Sequence, residues 1–321
     1  FVHLCSTARR VHCARESNAA TSRCSVQKRS VEFRSQFFGD GPDVHFNASR
    51  FFLATHGLTW LFWIPFAALQ WSSGLFPHNL VFAAGGLGPL IATIIMVRAS
   101  GDRTYVKEYL ARIISPRRVP VSWWCVVLFL PPAVTILGIL LGALFTGAPI
   151  ESTGLLNTNT VASITVFYLL LMLLAPVLEE IAWRGYGQDA LQNRFRPAAA
   201  SLVLGLLWWA WHLPLFFMVD TYQSQLGLFT TQSLEFLVWC IAATFIMTWI
   251  YNGTRGSILA AIVFHFTMNL SNELLLTTLP AEIARSAIHV TLAVFLFAVL
   301  PHLRRGADTV VDNVWRLSSD S

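Results

Sequence analysis

Charge is what this sequence has least of. Of 321 residues only 12% are Asp, Glu, Lys or Arg, against about 25% in an ordinary soluble domain. So little polar side chain cannot cover a water-facing surface, which excludes a disordered chain, a nucleic-acid-binding domain and an ordinary cytosolic enzyme. Cysteine is also scarce. The five residues are Cys5, Cys13, Cys24, Cys125 and Cys240, three near the start and two inside apolar runs, with no C-x-x-C. That spacing supports neither a disulfide scaffold nor a zinc ribbon. Long apolar runs, by contrast, are abundant: 55% of residues are hydrophobic and the mean hydropathy is +0.57. This is the composition of an integral membrane protein.

Residues 1–45 are rich in Arg and Ser, including Arg9, Arg10, Arg15, Arg23, Lys28, Arg29 and Arg34, and contain no sustained apolar run. They read as a disordered basic tail, and the missing initiator Met as a fragment or a misplaced start. Residues 46–303 form the expected bundle, followed by a tail over 304–321. A membrane-crossing helix needs about 20 mostly apolar residues, and about eight runs qualify: 51–70, 80–97, 121–145, 161–183, 199–218, 234–251, 257–277 and 284–302. The expected fold is an all-α polytopic bundle. Arg98, Arg103, Lys107, Arg112, Arg117 and Arg118 fall between the second and third runs, and Arg184, Arg194, Arg196, Arg255, Arg304 and Arg305 follow the fourth, sixth and eighth. The positive-inside rule then puts both termini in the cytoplasm. Within the basic connection, Thr104–Ile114 reads either as an amphipathic surface helix or as a plain linker helix.

Ionisable groups inside apolar runs are expensive and usually mark function. Here they cluster in three runs. The fourth ends with Glu179, Glu180 and Arg184; Glu180 and Arg184 share a face at i,i+4 in the order that favours an ion pair, whereas Glu179 is rotated by about 100°. The fifth carries Trp208 and His212 on one face, with Pro214 just beyond. The seventh carries His265 and Asn269, again at i,i+4.

Glu179 and His212 are suited to polarise a water by general-base action, and His265 and Asn269 to donate hydrogen bonds to a tetrahedral oxyanion. The alternative from the same residues is a catalytic zinc held by Glu179, His212 and His265, with water at the open position. The absence of an H-E-x-x-H helix and the poor fit of Asn as a zinc ligand favour the reading without a cofactor.

Taken in order, Glu179-Glu180-x-x-x-Arg184, Trp208-x-x-x-His212 and His265-x-x-x-Asn269 resemble the three motifs of the CAAX-protease and bacteriocin-processing intramembrane protease family, which includes the Ras-converting CAAX endopeptidases. The resemblance covers roughly 160–276. Its second motif usually has Phe where Trp208 stands here. It implies an endopeptidase acting on a peptide or protein substrate, prenylated in the CAAX case, with Glu179 and His212 as water activators and His265 with Asn269 as the oxyanion site. Glu180 and Arg184 become supports, with Trp208 as an aromatic wall. It implies a cavity open to lipid and to the cytosolic side, and the plain eight-span layout fits a prokaryotic plasma membrane. A transporter is the rival reading, but transporters of this size often show related halves, and the first three runs hold only His56 as a counterpart to the later clusters. A non-catalytic membrane scaffold is the third; intact motifs argue against it.

One geometric demand follows. His265 lies about 12 Å into its helix, but His212 would sit roughly 20 Å deep if its helix met the bilayer at Ala199. For the two to share a site with Glu179, the fifth helix must start in the cytosol or tilt, crossing the interface nearer Leu204.

Overall fold

The structure, a computed structural model, describes residues 46–69, 76–150, 154–156 and 166–299. The two tails, Cys5, Cys13 and Cys24 lie outside the described residues, as does the start of the fourth expected run. The helices are α1 (Ala48–Leu69), α2 (Phe76–Gly86), α3 (Gly88–Ala99), α4 (Arg103–Ile114), α5 (Val121–Thr146), α6 (Val166–Ala182), α7 (Gln188–Gln192), α8 (Pro197–Trp211), α9 (Tyr222–Leu226), α10 (Thr231–Gly253), α11 (Ile258–Leu274) and α12 (Leu279–Val299). The fold is an all-α polytopic bundle.

Among the described residues six helices are long and apolar enough to cross a membrane, rather than eight. The two that fall short are α6 and α11, each 17 residues as described. The second run is interrupted at Leu87, between α2 and α3. The seventh stops as helix at Leu274, because Leu275–Thr277 pair antiparallel with Gly154–Leu156 in a short two-stranded ribbon. The fifth run is helical only to Trp211 and continues as a 3-10 segment, Leu213–Phe217; Pro214 has no N–H to continue the ladder.

Polarity is turned inside out. Leu53, Leu144, Phe145, Val166, Val294 and Phe295 are exposed, whereas Glu179, Glu180, Arg184, Asp189, Glu235 and Arg285 are buried. An apolar exterior around a polar interior suits hydrocarbon as solvent, where each buried charge must find its partner within the protein.

Local signals set the helix ends. Asp102 caps α4, its carboxylate accepting from the N–H groups of Thr104 (2.8 Å) and Tyr105 (3.2 Å), and Ser115-Pro116 stops it. Thr230 and Ser233 form a reciprocal capping box at the start of α10. Ser257 caps α11 through the Ala260 N–H at 3.1 Å.

The face that joins α5 to α12 uses the spacing Gly138-x-x-x-Gly142. A β-carbon at Gly142 would stand 2.9 Å from the Ala281 backbone, and one at Gly138 2.9 Å from the Arg285 side chain. Small residues four apart let two membrane helices meet backbone to backbone. Gly142→Val is therefore expected to cost about 1–3 kcal/mol by overpacking, seen as a lower thermal midpoint in detergent.

Candidate active site

The site begins where α6 loses its regular ladder. After Ala182 the chain makes a π-turn, Trp183–Gly187, in which the Gln188 N–H reaches back five residues to the Trp183 carbonyl. Such turns splay carbonyls away from the helix, and those carbonyls need donors from elsewhere. The amphipathic helix α4 supplies them. The Tyr109 hydroxyl donates to the Ile181 carbonyl and Arg112 Nη2 to the Gly185 carbonyl at 3.1 Å. Only glycine allows this approach, since a β-carbon at Gly185 would meet the Tyr109 hydroxyl oxygen at 2.2 Å.

Arg112 looks, by sequence, like one more charge of the basic connection, yet it is buried. Its Nη1 is 2.7 Å from Asp189 Oδ2, and its Nη2 is 2.5 Å from the Tyr251 hydroxyl. That hydroxyl in turn donates to Asp189 Oδ1 at 2.6 Å. The Arg112–Asp189–Tyr251 triad thus ties α4, α7 and α10 to the turn that follows the two glutamates. Sequence patterning missed it because a basic residue near an interface needs no buried partner to be explained.

Glu179 and Glu180 serve different neighbours, as their 100° separation requires. Glu180 lies 3.0 Å from Arg184 Nη1, both fully buried. Its other oxygen is 2.8 Å from His265 Nδ1, a second partner that the i,i+4 spacing alone does not reveal. Glu179 accepts a hydrogen bond from the indole N–H of Trp208 at 2.7 Å. Trp208 is therefore more than an aromatic wall, and phenylalanine, usual at this place in the motif, has no such donor. The same indole lies under the Arg184 guanidinium, 5.7 Å from ring centroid to Cζ, and edge-on to His265 at 5.5 Å between centroids. Trp208→Phe is expected to lower kcat/KM by about 10- to 100-fold, the cost of a hydrogen bond to a buried charged group. Steady-state kinetics on the purified variant measures it.

His212 closes α8 as its C-cap, and its Nδ1 is 2.8 Å from the Trp208 carbonyl. A carbonyl only accepts, so neutral His212 carries its proton on Nδ1 and leaves the Nε2 lone pair free. His265 is different. With Nδ1–H directed at a carboxylate, its Nε2 donates a hydrogen bond only in the imidazolium form, which the Glu180 carboxylate balances. Both rings thus carry their proton on Nδ1 when neutral and differ in the acceptor, a carbonyl for His212 and a carboxylate for His265. Asn269 is half-buried one turn beyond His265 on α11.

Glu179, Glu180, Arg184, Trp208 and His265 thus form one contiguous cluster, to which His212 is joined through the backbone and ring of Trp208, 6.0 Å between centroids. Among the described residues no group of three His, Cys, Asp or Glu side chains is placed to hold a metal ion. Glu179, His212 and His265 do not converge as a ligand sphere in this arrangement.

The family described as type II CAAX prenyl endopeptidase Rce1-like matches residues 161–271, the stretch that carries all three motifs. A protein of Methanococcus maripaludis named CAAX prenyl protease 2 is 32% identical over 247 residues, covering 76% of this chain and 90% of that protein. Fold and relatives together define a membrane-embedded protease, a hydrolase of the polytopic helical class. The chain belongs to the Rce1-like family of type II CAAX prenyl endopeptidases.

Proposed function

We propose that this protein hydrolyses the peptide bond that follows the prenylated cysteine of a CAAX-type substrate, releasing the three C-terminal residues. The name of the Methanococcus maripaludis relative supports the substrate class. The observation that carries the mechanism is the placement of the two histidines around the Trp208–Glu179 hydrogen bond, each directing Nδ1–H at an acceptor, the Trp208 carbonyl for His212 and the Glu180 carboxylate for His265.

In this reading Glu179 and the Nε2 of His212 hold a water between them and take up its proton as the oxygen attacks the scissile carbonyl carbon. The carbonyl oxygen becomes an oxyanion, met by His265 Nε2–H and the Asn269 amide; donors aimed at developing charge are commonly the largest single contribution to catalysis. Collapse of the intermediate breaks the C–N bond, and the proton held by Glu179 passes to the leaving amine. Glu180 and Arg184 act as positioning residues. Glu180 balances His265, and Arg184 keeps Glu180 in place. No metal or other cofactor takes part.

The placement in the membrane belongs to the same proposal. Both termini lie in the cytoplasm, α8 crosses the interface near Leu204, and the cavity opens to the cytosolic side and to lipid, so that the prenyl chain stays in hydrocarbon while the peptide reaches Glu179. Counting α6 and α11 as spans beside the six longer helices gives eight, a layout that fits a prokaryotic plasma membrane.

The test is cleavage of a fluorogenic farnesylated CAAX peptide by purified protein in detergent, for the wild type, Glu179→Ala and His265→Ala, each with and without a chelator. Loss in both variants, with no effect of chelation, is the expected outcome. Activity that disappears on chelation and returns with zinc would instead make Glu179, His212 and His265 ligands.

A further inference from the structure

A second buried polar cluster lies where α10, α11 and α12 meet, and the mechanism above does not use it. Arg285 Nη1 donates to Asn272 Oδ1 at 2.5 Å. Its Nη2 stands 3.8 Å from Glu235 Oε1, beyond hydrogen-bond reach, and that oxygen accepts the Ser286 hydroxyl at 2.5 Å. The Nε of Arg285 has no hydrogen-bond partner among the described residues. Arg285 is only 5% exposed. A guanidinium carries five N–H donors in a fork matched to a carboxylate, so this buried cation has capacity beyond its protein partners.

Its position is set by the helix that carries the proposed oxyanion donors. Asn272 follows His265 by seven residues, two turns less about 20°, which places both on one face roughly 10.5 Å apart along the axis. Asn269 lies between them. An extended chain advances about 3.3–3.6 Å per residue, so three residues beyond a scissile carbonyl set the terminal carboxylate about 10 Å away. The two lengths agree.

We propose that Arg285, held by Asn272, binds the free α-carboxylate of the substrate, so that the rise of α11 from His265 to Asn272 measures the three residues that are released. Glu235 partly offsets the guanidinium, which keeps the cation tolerable inside the bundle before a substrate arrives. This inference rests on the prenyl endopeptidase reading and adds a residue that selects C-terminal peptides.

Two farnesylated fluorogenic peptides of one sequence test it, one ending in a free carboxylate and the other in an amide. Wild type is expected to favour the acid by about 10- to 100-fold in kcat/KM, the range for a hydrogen bond to a charged group. In Arg285→Gln that ratio falls to about 1, and Arg285→Lys recovers part of it. Arg285→Gln with Glu235→Gln leaves no unpaired buried carboxylate, guards against misfolding, and also shows a ratio near 1. Equal turnover of acid and amide by wild type, or variants that slow both substrates in the same proportion, would reduce Arg285 to a packing role and overturn the proposal. Cleavage of neither peptide by wild type would remove the prenyl endopeptidase reading itself, and this inference with it.

Discussion

Glu179→Gln is expected to lose about 10²- to 10⁴-fold in kcat, the span that general acid–base groups supply, while the protein stays folded. The amide oxygen of Gln still accepts the Trp208 N–H that lies 2.7 Å from Glu179, so the substitution removes a base without opening a hole. His212→Ala should cost a similar factor. The proposed mechanism has both groups act on one water, so the double variant should be little worse than either single one, as happens when residues work as a unit. Single-turnover kinetics on the three variants, with monodispersity checked by size exclusion, makes the comparison. Fully additive losses would mean that the two side chains serve separate steps. Retention of more than a tenth of wild-type kcat in Glu179→Gln would move the base elsewhere.

Asp189→Ala carries the largest expected effect on stability. It strands the buried guanidinium of Arg112, which now has Asp189 at 2.7 Å, and removal of one partner of a buried ion pair typically costs about 3–5 kcal/mol. Replacing both partners, as Arg112→Met with Asp189→Leu, should recover most of that loss, because the penalty comes from the uncompensated charge rather than from the missing attraction. Thermal unfolding in detergent separates the two. If Asp189→Ala melts with wild type, Arg112 is solvated and the clasp across α4, α7 and α10 contributes little. Activity offers an independent reading: the double variant keeps its fold but loosens the π-turn, so its kcat should fall even where its melting temperature does not.

Much of the bundle was legible because apolar run length is a direct consequence of what a bilayer demands. The Glu180–Arg184 pair was legible for a comparable reason, since i,i+4 spacing on a helix leaves little choice of neighbour. What escaped was whatever depends on contact between helices. The bond from Glu180 to His265 spans 85 residues, and that from Trp208 to Glu179 spans 29; no local pattern encodes either. Arg112 was read as a marker of topology when it is the hinge pin of a buried triad, because the same residue type serves both purposes near an interface. The breaks were mixed. Pro214 announced the end of regular helix after His212, whereas nothing in Trp183–Gly187 has a propensity that signals a π-turn, and the donors from α4 that satisfy it lie more than 70 residues upstream.

That π-turn gives the chain an unusual tolerance of length. It accommodates one residue more than a regular ladder would, so deleting a single residue from it would let the α-helix run straight through without disturbing Glu179 or Glu180. The helix beyond would keep its register and Asp189 would still face Arg112, whereas straightening the turn with every residue retained would rotate everything downstream by about 100° and swing Asp189 away. In this segment the loss of one residue is a milder event than a side chain at position 185, and homologues that share the clasp are expected to carry either this turn or a regular helix one residue shorter.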